Sequence, residues 1–272
     1  MLDAHIHIMS TDKPDPEALL ARMRSIGMEG GMLLSWPPAS FPHTKNPKDT
    51  TSRLNNLMEW CRGRPTLFPA FWIDPTEDDA VGQVEQAVKA GVAAFKIICG
   101  NFYPSDPRAM KTYAAIAQTG KPILFHSGIL WDGQNSSRYN RPAEYEAMIE
   151  IKGLRFALAH ISWPWVDECL AVYGKVLNCC KYRNEPNPMF IDATPGTPVI
   201  YRKEALTKLY TIGYDIAENV FYGSDTLASG YSTNWADEWI KRDKEILDAL
   251  GRPEIDVKNM FEGNFRRFLT GK

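Results

Sequence analysis

Short apolar runs that do not alternate with polar residues constrain this chain more than any other feature. Eight of them, rich in β-branched and aromatic residues, recur along it: LDAHIHI (2–8), GMLLSW (31–36), TLFPAFWI (66–73), AAFKII (93–98), PILFHS (122–127), RFALAHIS (155–162), PMFIDA (188–193) and NVFYGSD (219–225). Consecutive apolar positions are the mark of strands covered on both faces, and so of a parallel sheet wrapped by helices. The intervening segments carry helix start and stop signals. DPEALLARMRSIG (15–27) opens on an acidic residue followed by proline and closes on Gly27. Helices are predicted likewise over 51–63, 77–91, 106–120, 141–153, 164–174 and 202–213, with a short closing helix over 264–272. Eight strand-and-helix units in 272 residues predict a (β/α)8 TIM barrel, a fold of about 250 residues, filling 1–272 as one domain. An open doubly wound sheet is the alternative, although no G-x-G-x-x-G or Walker loop follows the first strand. SWPPASFPHTKNPKD (35–49) is predicted as a long Pro-rich loop.

Charge and cysteine usage narrow the setting. With 31 Lys+Arg against 33 Asp+Glu, the formal net charge is -2, and no attraction to nucleic acid or to an anionic membrane follows from it. The first residues are strand-like and lack a basic segment followed by an apolar one and a cleavage site, which predicts a cytoplasmic protein. No apolar stretch reaches the roughly 20 residues that span a bilayer. Cys61, Cys99, Cys169, Cys179 and Cys180 form no C-x-x-C pair and are odd in number. That fits reduced thiols and argues against a sulfur-bound metal.

In a barrel of this kind the reactive end lies at the carboxyl ends of the strands. His5 and His7 end the first run, His126 the fifth, His160 the sixth and Asp225 the eighth. Side chains two apart on a strand share a face, so His5 and His7 can both look into the barrel and offer two nitrogens to one ion. A single strand histidine reads as an ordinary hydrogen-bonded residue. Four of the chain's five histidines near strand ends read as a joint metal site. Imidazole and carboxylate suit Zn²⁺ and related divalent ions, which lower the pKa of a bound water to about 7. Asp225 can ligate such an ion and take that water's proton. The segment GILWDGQNSSRYNRP (128–142) directly follows His126, so Trp131 and Arg138 are expected to touch substrate, as are Lys96 on the fourth strand and Trp163 after the sixth. His43 reads as an exposed histidine of the long loop. STDK (10–13) matches S-x-x-K but reads as a solvent-exposed turn, and no G-x-S-x-G is present.

The strings DAHIHI (3–8), LFHSG (124–128), ALAHIS (157–162), FYGSD (221–225) and GNFRRFL (263–269) together resemble the amidohydrolase superfamily. Within it they resemble the amidohydrolase-related branch that includes the aminocarboxymuconate-semialdehyde decarboxylase group. The resemblance spans nearly the whole chain. It implies a metal shell of His5, His7, His126 and Asp225 around one divalent ion, most simply Zn²⁺, with His160 polarising the substrate or holding the attacking water. In two-metal members the counterpart of His160 becomes a ligand, and a carboxylated lysine at the end of the fourth strand bridges the ions. Lys96 lies on that strand, and substrate-anion binding or a structural ion pair are the other roles open to it. Many superfamily members also carry a small β-sandwich, whereas here a bare barrel is expected.

The leading functional reading is therefore a metal-dependent hydrolase acting on a small amide, lactone or ester through a metal-bound hydroxide. Nonoxidative decarboxylation of a small unsaturated or aromatic carboxylic acid is the alternative, since this branch contains both chemistries on nearly the same ligands. TatD-like nucleases also begin with H-x-H, but they usually have a glutamate on the fourth strand and an ETD-type eighth strand, where this chain has Lys96 and GSD. The absence of a basic surplus argues the same way. A barrel that binds without catalysis is disfavoured because every expected polar position is filled. The expected partner is a small molecule, neither nucleic acid nor membrane, and a homo-oligomer stays open.

Overall fold

The computed structural model describes residues 1–9, 13–42, 44, 46–185 and 187–272. The expectations for His43 and for Ser10 of the S-x-x-K string lie outside the described residues. Each apolar run forms a strand: β1 (Leu2–His7), β2 (Gly30–Leu34), β3 (Leu67–Trp72), β4 (Ala94–Ile97), β5 (Ile123–Phe125), β6 (Phe156–Leu158) and β7 (Met189–Asp192). The eighth run divides into β8 (Val220–Phe221), followed by β9 (Thr226–Leu227) just beyond it. All pairs are parallel, in the order β8-β7-β6-β5-β4-β3-β2-β1-β9. Because β8 pairs with β7 and β9 with β1, the interrupted eighth strand closes the sheet on itself; Ala4 N donates to Tyr222 O across the seam at 3.1 Å. The (β/α)8 barrel is the observed architecture.

Alternation explains why the runs are apolar at successive positions. Leu2, Ala4, Met32, Leu34, Ala70, Ala94, Leu124, Ala157, Phe190 and Phe221 form one buried cluster that fills the barrel. The residues between them, such as Leu33, Phe71, Phe95, Phe125, Leu158 and Ile191, belong to a second cluster beneath the helices. Along the inner face apolar residues give way to polar ones toward the carboxyl end: Ala94 to Lys96, Leu124 to His126, Phe190 to Asp192. At the opposite end the helix Asn264–Thr270 turns Phe265 and Phe268 against Phe68, Phe190 and Phe221, with ring centroids 5.1 to 5.9 Å apart. Burial of each such ring contributes about 1.5–3 kcal/mol, which makes this end a plug and leaves the other free for a site.

The outer helices are α1 (Pro16–Arg24), α2 (Thr50–Cys61), α3 (Ala80–Ala90), α4 (Pro107–Gln118), α5 (Val166–Arg183), α6 (Val199–Thr211), α7 (Thr233–Ala249), α8 (Glu254–Lys258) and α9 (Asn264–Thr270). The first, second and fourth begin where the capping residues place them, on Asp15, Asp49 and Asp106, whose carboxylates accept from backbone N–H groups of the first turn. Three expectations need correction. Residues 141–153 are not an α-helix: Pro142–Glu150 winds as a 3-10 helix, drawn tight where the Tyr145 hydroxyl donates to His126 O at 2.6 Å. The helix expected to end at 174 runs on to Arg183. The helix α7 was not anticipated, because its many charges hide a buried stripe of Ala236, Trp239, Ile240, Asp243, Ile246 and Leu247. Asp243 on that stripe accepts from Nε of the fully buried Arg202 of α6 at 2.8 Å. Among the described residues no helix is long and apolar enough to cross a membrane.

Candidate metal centre

The first strand carries two histidines into the barrel by breaking its own alternation. Leu2 and Ala4 face inward, so strict period-two geometry would turn His5 and His7 outward. The register against β2 shifts between Asp3 and Ile6, and beyond the shift Ile6 and Ile8 belong to the outer core. This β-bulge inserts one residue and re-aims both imidazoles at the cavity. Asp3 faces away from it and ties the neighbouring strand down: its Oδ1 accepts from His5 N at 3.1 Å and Ser224 N at 2.9 Å, and its Oδ2 from Tyr231 Oη at 2.9 Å.

Asp225 sits in the interruption between β8 and β9 with φ +59°, a left-handed conformation uncommon outside glycine. Three bonds hold the bend against that cost of about 1–3 kcal/mol. Asp225 N donates to His5 O at 2.9 Å, Ser224 N to Asp3, and Trp235 Nε1 of α7 to Ser224 O at 2.9 Å. The result places Asp225 Oδ1 3.2 Å from His7 Nε2 and 3.7 Å from His5 Nε2. Gly223 permits the approach, since a Cβ there would lie 2.2 Å from Thr194 Oγ1 and 2.6 Å from His5 Cβ.

Two further histidines enter from β5 and β6. His160, Ile161 and Ser162 all have positive φ, and this left-handed turn brings the His160 ring to 5.4 Å from that of His5 and 4.9 Å from that of His126. His160 Nδ1 lies 3.3 Å from Pro195 O and donates to it in the tautomer that leaves Nε2 unprotonated. His126 lines the same cavity, but its Nε2 faces Ile129 O at 3.2 Å. Lys96 is fully buried on the inner face of β4 and its Nζ has no hydrogen-bond partner.

These groups open into a cavity of about 820 Å³ at the carboxyl end of the barrel, walled by Phe41, Trp72, Ile98, Leu130 and Trp163. Trp131 stands at its mouth, 80% exposed. Arg138 does not line it; its guanidinium donates to Tyr139 Oη at 2.6 Å and lies over that ring. Asp192 escaped the sequence reading although it ends the seventh run on the inner face, the same position that singled out His126. Its Oδ2 accepts from His5 Nδ1 at 2.7 Å, and its Oδ1 accepts from Thr194 N at 2.8 Å and from the Thr194 hydroxyl.

Burial dominates the electrostatics. It holds His5, His126 and His160 below the usual imidazole range, His5 and His126 well below, and so keeps their lone pairs available. Burial brings Lys96 down to about 8 against the pull of Asp192 and Asp225, and it raises Asp192. Burial works to raise Asp225 as well, but the His7 hydrogen bond and the surrounding imidazoles hold it well below the ordinary carboxylate range.

A divalent cation fits this donor set. The ligand atoms of His5, His7 and Asp225 all lie within 4.8 Å of one another, and ligands about 2 Å from one tetrahedral ion sit about 3.3 Å apart. His5 Nε2 is buried without a hydrogen-bond partner among the described residues, a lone pair that a cation satisfies. Among the described residues this is the group with ligand spacing, and His126 and His160 stand beside it.

The family model described as amidohydrolase matches residues 2–270. No curated protein matches the chain. Among solved structures, a probable 2-pyrone-4,6-dicarboxylic acid hydrolase from Acinetobacter baumannii with citric acid bound is similar over 100% of this chain and 99% of its own, at 13% identity and a TM-score of 0.67. The 5-carboxyvanillate decarboxylase of Novosphingobium aromaticivorans, complexed with manganese and 4-hydroxy-3-methoxy-5-nitrobenzoic acid, is similar over 98% of this chain and 94% of its own, with 10% identity and a TM-score of 0.65. An amidohydrolase from Burkholderia multivorans with bound zinc is similar over 98% of each chain, at 12% identity and a TM-score of 0.65. At these identities the likeness is one of fold.

Proposed function

The chain belongs to the amidohydrolase family, and from that premise we propose that it is a metal-dependent hydrolase acting on a small amide, lactone or ester. The observation that carries this reading is the convergence of His5, His7 and Asp225, with the unpartnered His5 Nε2 among them. His5, His7 and Asp225 would hold a divalent cation, most simply one Zn²⁺, with His126 as the fourth candidate. When bound, the cation supplies Lewis acidity that polarises a carbonyl and lowers the pKa of water.

The chain's own residues do the rest. Asp225, ionised and one-third exposed to the cavity, accepts a proton at its carboxylate from the attacking water and returns it to the leaving group. His160, with Nδ1 held by Pro195 O, orients the substrate carbonyl or the water from the opposite wall. Asp192 fixes the His5 tautomer so that Nε2, not Nδ1, faces the ligand group. Trp72, Phe41 and Trp163 exclude water around a planar substrate. The size of the cavity and the net charge of -2 favour a small molecule over nucleic acid.

Decarboxylation of a small unsaturated or aromatic acid is the second reading. Lys96 favours it, because a buried ammonium without a partner would receive a carboxylate. Protein purified without chelator, analysed for metal and offered lactones, esters, amides and aromatic acids, separates the two. Hydrolysis that disappears on chelation and in Asp225→Asn supports the first reading, carbon dioxide release supports the second, and an active Asn variant removes Asp225 as the base.

A further inference from the structure

Beside the metal centre lies a second, smaller cavity of about 240 Å³ that shares the wall formed by Phe41, Pro42, Trp72 and Ile98 with the main one. Its volume is below the 300–1,000 Å³ typical of a whole ligand site, so it suits one arm of a molecule whose reacting part sits elsewhere. Trp72 joins the two spaces, its ring 5.9 Å from that of His7 and 4.7 Å from that of Phe41. Its backbone carbonyl accepts from the buried Arg53, which also donates to Trp36 O at 3.1 Å and so fixes the loops after β2 and β3.

The smaller cavity contains one ionisable carboxylate, Asp74, which is only 9% exposed. Its Oδ1 accepts from Thr76 N at 2.9 Å and from Thr76 Oγ1 at 2.7 Å, an Asx turn that sets the side chain in place. Its Oδ2 takes no hydrogen bond from any described residue, and no Lys or Arg among the described residues lines the cavity. Arg108, which has an electrostatic link to Asp74, is exposed and held by Asp106 at 2.8 Å. This oxygen is not sealed off within the protein, so it stays accessible from the cavity, where a charged donor can meet it in a charge-assisted hydrogen bond. The walls include Phe41, Trp72 and Phe102, aromatic surfaces that attract a cation, with the amides of Asn101 and Asn135 at the rim; Tyr139 also lines it, with Arg138 over one face of its ring.

We propose that this cavity is a subsite for a protonated amine, and that the substrate carries an ammonium group on the arm directed away from the metal centre, with Asp74 as its specificity-determining partner. The inference rests on the proposed function only for where the reacting end of the substrate lies. Amine binding itself needs neither metal nor turnover.

The test uses the full chain and benzylamine as the probe, with benzyl alcohol as the uncharged donor and the chelated protein as a second state. Benzylamine is expected to bind the native protein with or without chelator, and Asp74→Asn to weaken it about ten- to a hundredfold, the loss of one hydrogen bond to a charged group. Asparagine keeps an acceptor at Oδ1 for Thr76, and metal content read in the same samples should not change. In crystals soaked with benzylamine, the nitrogen should lie within hydrogen-bond reach of Asp74. Absence of benzylamine binding, equal affinity in Asp74→Asn, tighter binding of benzyl alcohol, or a nitrogen placed at His5 and Asp225 would each overturn the subsite. Protein that binds benzylamine through Asp74 but hydrolyses equally well after chelation, or takes up no metal, would count against the metal-dependent reading alone.

Discussion

Asp192→Asn tests the chemistry of the centre most sharply because it changes one atom and no volume. In the native protein the Asp192 carboxylate accepts from His5 Nδ1 at 2.7 Å, with both side chains essentially inaccessible to solvent. That bond protonates Nδ1 and leaves the lone pair on Nε2, which faces Asp225. Asparagine retains an oxygen for the two Thr194 donors, so its NH₂ turns to His5. An N–H opposite Nδ1 stabilises the reverse tautomer, with the proton on Nε2, and the nitrogen meant for the cation becomes a donor. Loss of a charge-assisted bond at a buried site costs about 1.5–3 kcal/mol of stability. Removal of the group that orients a ligating histidine costs about 10- to 100-fold in metal affinity. Competition with a chromophoric chelator reads the affinity, and thermal melts of metal-free protein read the stability. Native metal affinity in a folded Asn variant would refute the tautomer argument.

Three further outcomes follow from the same geometry. His5→Ala or His7→Ala should abolish activity and lower metal content while leaving the barrel folded; a stoichiometric ion retained by the double variant would refute their role, as measured by elemental analysis. Gly223→Ala, whose new methyl would meet Thr194 Oγ1 at 2.2 Å and His5 Cβ at 2.6 Å, should cost about 1–3 kcal/mol in denaturant unfolding and weaken metal binding with it. Burial raises the Asp3 carboxyl to about 6, above its ordinary 3.8, so the folded state binds its proton more tightly than the unfolded chain does. Its contribution to stability is therefore full below about pH 4 and is lost as pH rises through about 6, by roughly 3 kcal/mol at 1.36 kcal/mol per unit. The melting temperature of the native protein relative to Asp3→Asn should fall across that window, and a constant difference would refute it.

Much of the site was legible because strand ends are legible. The rule that polar residues late in a barrel strand face the cavity found His5, His7, His126, His160 and Asp225, and the family resemblance pointed to Lys96; all of them line it. The same rule reaches Asp192 at the end of β7 and could have found it. Trp131 and Trp163 also line the cavity, whereas Arg138 turns to Tyr139, a choice between two partners that depends on where Tyr139 stands in space. The split of the eighth strand was not legible either: FYGSD reads as one continuous run, yet Asp225 adopts a left-handed conformation there. Asp74 carries no motif, and only the cavity around it marks it out.

By itself the sequence determined the order of the eight strands and the start of α1 at Asp15 and Pro16, because apolar runs and helix caps are local properties of successive residues. It also determined that two imidazoles two apart share a face. Which face they share was decided by tertiary structure. The bulge between Asp3 and Ile6 reverses the alternation of β1, and beyond it the strand pairs with β2 on one side and β9 on the other. A bulge is defined by register against a neighbouring strand, so no pattern within β1 alone records it.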